Sequence, residues 1–124
     1  MERTAQLVSR MAMALGSDQR RREILPALSL ILGEMPPEVI QAAAFQPAVQ
    51  LVVHTLLGQV LDYECLDLLG RLLERLSPEQ AQSMLPGVAS KLARSFKATL
   101  PDRHARRLAQ TLQLTLSKAA VDGK

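Results

Sequence analysis

His54 and Cys65 are the chain's best candidates for a base and a nucleophile. Eleven residues is about three turns of an uninterrupted α-helix, which would put both side chains on one face. However, Gly58 and an acidic start signal at Asp62 fall between them, and neither residue sits in a nucleophile motif. A reactive thiolate needs electropositive surroundings, whereas the neighbours of Cys65 are Asp62, Glu64 and Asp67. The expectation is a buried, inert cysteine. His54, set among Val52, Val53, Leu56 and Leu57, is expected at a core edge or groove. The acids Asp62, Glu64 and Asp67 would suit acid–base work or a metal. A calcium loop, though, needs alternating oxygen ligands, a mid-loop glycine and a distal glutamate, and none of these is present. An acid-rich first turn of a helix is the plainer reading. Gly16, Gly33, Gly58, Gly70, Gly87 and Gly123 are scattered, without phosphate-cradling spacing. The expectation is a protein that is not an enzyme, with no cofactor and no metal.

The remaining chemistry is electrostatic. Lys91, Arg94, Lys97, Arg103, Arg106 and Arg107, with His104, fall on two consecutive helical stretches and the turn between them. Side by side, such helices present a positive ridge that would meet an acidic peptide, phosphates or nucleic acid. The competing reading is a solvated polar face, which also covers Arg20, Arg21 and Arg22. Residues 1–76 carry 7 basic and 9 acidic residues, and residues 77–124 carry 8 and 3, so the net +3 is concentrated at the C-terminal end. Phe45, Tyr63 and Phe96 are the only aromatics. That argues against a β-sheet protein and against a stacking platform for single-stranded nucleic acid.

The 124 residues suffice for one domain with a single core. One cysteine excludes an internal disulfide and fits a reducing compartment. No apolar signal segment is readable, and the longest uncharged run, residues 39–61, is broken up by glutamines and Pro47. Cytosol or nucleus is the expected setting, with no membrane partner.

Hydrophobic periodicity places helices along the whole chain. The first spans residues 4–15. Gly16 suits a left-handed exit and Ser17 an N-cap. Residues 24–35, apolar nearly all round, are expected at the centre, with a kink or restart at Pro26. Pro36-Pro37-Glu38 stops that helix and starts a short one over 38–45, followed by another over 47–58. Asp62 opens a leucine-rich helix to residue 76, with Asp67 and Arg71 paired at i,i+4 on its outer face. Ser77-Pro78-Glu79-Gln80 is a capping box. The helix beyond it is expected to break at Pro86-Gly87 and resume with Val88, Leu92 and Phe96 inward. After Thr99-Leu100-Pro101-Asp102, a last helix is expected to bury Ala105, Leu108, Leu112, Leu116 and Ala119.

Residues 62–76 recur. Shifted by 40, Asp62, Leu68, Leu72 and Leu76 land on Asp102, Leu108, Leu112 and Leu116. Shifted back by a similar amount, Leu66, Leu69, Leu72 and Leu73 fall near Leu25, Leu28, Ile31 and Leu32. The intervening segments match too: Pro37-Glu38, Gln41 and Pro47 against Pro78-Glu79, Gln82 and Pro86. The pattern resembles the armadillo/HEAT class of α-helical repeats, whose period is about 40–47 residues. The implied fold is all-α: a right-handed α-solenoid of about six to seven helices, or a compact helical bundle of similar shape. The single domain, 1–124, divides into a partial unit (1–35), two units (36–76 and 77–118) and a frayed tail (119–124). Such surfaces serve as protein-interaction scaffolds that bind a partner helix or peptide, with the basic ridge as the expected contact. The alternatives are nucleic-acid or phosphate binding through that ridge, and self-association as a subunit of a larger complex.

Overall fold

The fold was obtained as a computed structural model that describes residues 2–95 and 99–120. Seven α-helices occur among them: α1 (Glu2–Ala14), α2 (Asp18–Glu34), α3 (Pro37–Ile40), α4 (Gln46–Leu57), α5 (Tyr63–Arg75), α6 (Pro78–Ser95) and α7 (Asp102–Ala120). A single 3-10 turn, Ala43–Phe45, leads into α4. No strand occurs among the described residues, so the fold is all-α. Among the described residues no helix is long and apolar enough to cross a membrane.

Helix starts follow local chemistry. Asp62 takes an extended backbone (φ −88°, ψ 120°), and its carboxylate accepts from the backbone N–H of Glu64 at 3.0 Å and Cys65 at 3.4 Å. At Ser77 the capping box closes in both directions. Gln80 N–H donates to Ser77 Oγ at 3.2 Å, and Ser77 N–H to Gln80 Oε1 at 2.8 Å. Pro37 occupies the first position of α3, where its missing N–H costs nothing. Ser17 has N-cap geometry, but its side chain makes no capping bond. Gly16 does not adopt the expected left-handed conformation, since no described residue has positive φ. Instead α1 ends in a run of i→i−3 bonds from Leu15, Gly16 and Ser17 to Ala12, Met13 and Ala14, a 3-10 exit.

Neither a restart at Pro26 nor the break expected at Pro86-Gly87 occurs. Pro26 lies inside α2 and Pro86 inside α6, each within one continuous helix. A proline forfeits one backbone hydrogen bond. Residues on both sides of each proline are nevertheless buried: Leu25 with Leu28 and Leu32, and Ala81 with Val88 and Leu92. Packing therefore outweighs propensity. The expected helix over 38–45 is in fact α3 and the 3-10 turn. Gln46 Nε2 bridges that joint to the Ile40 and Ala42 carbonyls at 3.4 and 3.1 Å.

The apolar faces also differ from expectation. Among the described side chains of α2 only Leu25, Leu28 and Leu32 are buried, joined by Met35 just past its end, while Leu30 is 62% exposed. In α7 the buried stripe is His104, Leu108, Thr111 and Thr115, Ala105 and Leu112 are half-buried, and Leu116 is 47% exposed. Thr111 and Thr115 are accommodated because each hydroxyl donates to the carbonyl four residues back, both at 2.8 Å. The expectations for Phe96, for the Ala119 side chain and for the end of the tail lie outside the described residues.

The helices pack as successive pairs, α1 with α2, α4 with α5 and α6 with α7. The first helices of the pairs touch one another (α1 with α4, α4 with α6), and so do the second helices (α2 with α5, α5 with α7). One continuous hydrophobic core runs through all of them. Gly70 lets α7 approach α5 closely. A Cβ there would stand 2.6 Å from Arg107 Nη2 and 3.2 Å from Thr111 Oγ1.

Candidate functional site

The second helices of the three pairs share a groove of about 660 Å³. Leu25, Pro26 and Ser29 of α2 form one wall. Tyr63, Glu64, Asp67 and Arg71 of α5 line the middle, and Pro101, Arg103 and His104 lie at the α7 end. A narrow extension of about 30 Å³ continues between α2 and α5, past Gly33, Leu72 and Arg75.

Each side chain is held by its element. The Asp62 cap fixes the first turn of α5, from which Tyr63 and Glu64 project. Arg21 steadies that cap from α2 through an ion pair with Asp62 (3.3 Å) and a 2.9 Å hydrogen bond to Gln59 Oε1. The expectation of a solvated arginine triplet therefore holds for Arg20 and Arg22, which are exposed, and fails for half-buried Arg21. His104 is buried and its Nε2–H donates to the Val60 carbonyl at 2.7 Å, because a carbonyl can only accept. This bond ties the start of α7 to the α4–α5 turn. The Tyr63 ring meets His104 edge-on, with centroids 5.8 Å apart at 86°. The Arg103 guanidinium lies 4.2 Å above the Tyr63 ring centroid, a cation–π placement.

Asp67 organises the middle of the groove. Its Oδ2 accepts from Arg71 Nε at 3.0 Å and also from Arg71 Nη2, so the expected i,i+4 pair forms. Its Oδ1 stands 3.2 Å from Arg107 Nε, and its backbone carbonyl accepts from Arg107 Nη2 at 3.3 Å. Arg75, at the end of α5, donates to the Gly33 and Met35 carbonyls at 2.8 and 2.6 Å. This satisfies the otherwise unpaired carbonyls that close α2.

The sequence-derived site residues are only partly brought together. Arg103, Arg106 and Arg107 line one depression of about 380 Å³ with Tyr63, Asp102 and Gln110. Within it Arg107 turns inward onto Asp67, while Arg103 and Arg106 stay exposed. Lys91 and Arg94 stand exposed on α6, and Lys97 lies outside the described residues. His54 and Cys65 do not form a pair. His54 is exposed in the last turn of α4, not at a core edge, and Cys65 is fully buried in α5. Burial, reinforced by Asp62 and then Glu64 against the opposing pull of Arg21, pushes the Cys65 thiol up to about 12. Among the described residues no cluster of three or more His, Cys, Asp or Glu is placed to hold a metal.

Sequence reasoning missed Leu25, Pro26, Ser29, Tyr63, Glu64 and Arg71 as lining residues, because they come from different stretches of chain. The signal that could have found them is the 40-residue shift. Applied to Tyr63 and Glu64, it reaches Arg103 and His104 on the neighbouring second helix. No protein-family profile matches the chain, and no match is found among curated proteins or solved structures.

Proposed function

We propose that the protein is a non-enzymatic interaction module of armadillo/HEAT-like helical pairs, stacked as an α-solenoid, that binds an extended peptide across its second helices. The observation carrying this reading is the groove, to which α2, α5 and α7 all contribute. Two features support the stacked arrangement. Major contacts link only neighbouring pairs. Long-range hydrogen bonds join residues close to one period apart, such as Arg75 to Met35, Gln80 to Ile40 and Arg107 to Asp67, each 40 residues distant. In stacked repeats each unit touches its neighbours, and the rows of equivalent helices form extended binding surfaces.

The groove suits a peptide physically. Leu25, Pro26 and Tyr63 supply apolar surface, while Ser29, Glu64, Arg71 and Arg103 supply donors and acceptors. Of the basic ridge expected from sequence, Arg103 lines this groove and Arg106 the depression beside it. Selection from a displayed library of random dodecapeptides, followed by titration, tests the reading. Selected peptides are expected to lose at least tenfold in affinity to Ser29→Trp, which fills the α2 wall, and to Glu64→Lys. Peptides that bind these variants as tightly as the wild-type protein would exclude the groove.

A further inference from the structure

The α7 end of the groove holds more positive charge than the fold uses. Arg71 and Arg107 are committed to Asp67, Arg21 to Asp62 and Gln59, and Arg75 to the end of α2. Arg103 and Arg106 differ. Neither makes an ion pair among the described residues, and Arg103 rests only on the Tyr63 ring. Three positions apart on one helix, they rise from the same face and line one depression of about 380 Å³ with Gln110. That depression shares Tyr63 and Arg103 with the groove, so the two are continuous.

We propose that Arg103 and Arg106 form a phosphate-monoester site at the end of the groove, and that the preferred occupant is an extended peptide carrying one phosphorylated side chain. The inference rests on the peptide-groove reading above and specifies its ligand. A phosphate monoester brings a charge of about −1.5 to −2 and three acceptor oxygens, enough for both guanidinium forks, whereas a carboxylate satisfies one fork. Tyr63 holds Arg103 in place beforehand, which lowers the ordering cost of binding. Nucleic acid fits less well, because the continuation of the groove presents the Glu64 carboxylate beside apolar Leu25 and Pro26, which offer nothing to a second phosphate. The residues flanking the phosphate should therefore be neutral or basic. Asp102, also at the depression, opposes the anion and sets a limit on its affinity.

The test uses the whole chain and a short peptide, acetyl-Ala-phosphoSer-Ala-Lys-Ala-amide, beside its serine and glutamate counterparts, inorganic phosphate and a decamer RNA. Arginine side-chain NMR signals locate binding and titration gives the affinities. The expected result is that the phosphopeptide binds at least tenfold tighter than the glutamate peptide and shifts the Arg103 signal. R103A/R106A should erase that preference with helicity unchanged by circular dichroism. Asp102→Asn should tighten binding several-fold, and Arg10→Ala, on α1, should leave it unaltered. A serine peptide held as tightly as the phosphopeptide would overturn the phosphate site and leave the groove standing. A phosphate preference that persists in R103A/R106A, or RNA that outcompetes the phosphopeptide, would also overturn the site. If inorganic phosphate binds as tightly as the phosphopeptide and Ser29→Trp changes neither, the groove reading fails, and the peptide assignment with it.

Discussion

Asp67 supplies the ion pair between α5 and α7, and Gly70 leaves room for its partner, Arg107. Alanine at position 70 would favour the helix by about 1 kcal/mol, but its Cβ would stand 2.6 Å from Arg107 Nη2 and 3.0 Å from Cζ. The guanidinium is the far end of a flexible chain and can move, at the cost of its hold on Asp67. Gly70→Ala should therefore be neutral to destabilising in the natural chain and less costly in an Arg107→Ala background, where only Thr111 Oγ1, 3.2 Å from the new Cβ, still crowds it. A double-mutant cycle by urea denaturation should give a coupling on the order of 1 kcal/mol; equal effects in both backgrounds would refute the contact. Cys65 makes a second residue-scale case. Its folded-state pKa, raised to about 12 from an ordinary 9.0, means the native state disfavours the thiolate. Its contribution is fully present below pH 9 and is lost as pH rises towards 12, with a slope of at most about 1.4 kcal/mol per pH unit. Native protein should resist thiol reagents at pH 8. Cys65→Ala should lose less stability than the natural chain between pH 9 and 12. Parallel pH–stability curves would show that the thiol does not titrate with unfolding. The burial of Cys65 was legible, because its neighbours are leucines and acids. The paired roles of Arg21 and Arg107 were not, because their partners lie 38–41 and 40 residues away and only tertiary packing brings them close.

At the scale of elements, the helix starts set by a few adjacent residues were the most readable, although the left-handed exit expected at Gly16 was not taken. Asp62, Ser77 with Gln80, and Pro37 start helices where expected, since a cap is satisfied within one turn. What could not be read was any outcome decided by another helix. α2 does not restart at Pro26 and α6 does not break at Pro86, because the flanking turns are pinned to the core. The face of α7 was misjudged because two of its buried residues are threonines, whose hydroxyls bond their own helix and so carry no requirement for water. The two N-cap serines separate position from chemistry. Ser77→Ala removes a bond that is made and should cost about 0.5–2 kcal/mol. Ser17→Ala removes none, because the Ser17 side chain makes no cap bond, and should change stability by only a few tenths of a kcal/mol. Thermal denaturation of the two variants checks this, and equal losses would show that the Ser77 bond contributes nothing.

At the scale of the whole molecule, the question is whether the pairs stack in a row or close into a bundle, because a row presents its second helices as one extended surface. The contact pattern has a middle and two ends. α4 touches α1, α5 and α6, and α5 touches α2, α4 and α7. α1 and α7 share no substantial contact among the described residues. In a linear stack stability comes from each unit and its immediate neighbours, so the ends open before the middle. Native-state hydrogen exchange should therefore show the slowest amides in α4 and α5, with α1 and the later turns of α7 exchanging through smaller openings. In a closed bundle α1 and α7 would be protected to the same global limit. An Arg75→Met variant sharpens the comparison, since it cuts the bonds by which α5 closes α2 at Gly33 and Met35. A stack should respond with faster exchange in α2 and little change in α7. A uniform loss of protection across all helices would mean one cooperative core, and the groove along the second helices would then have to be explained without a repeat.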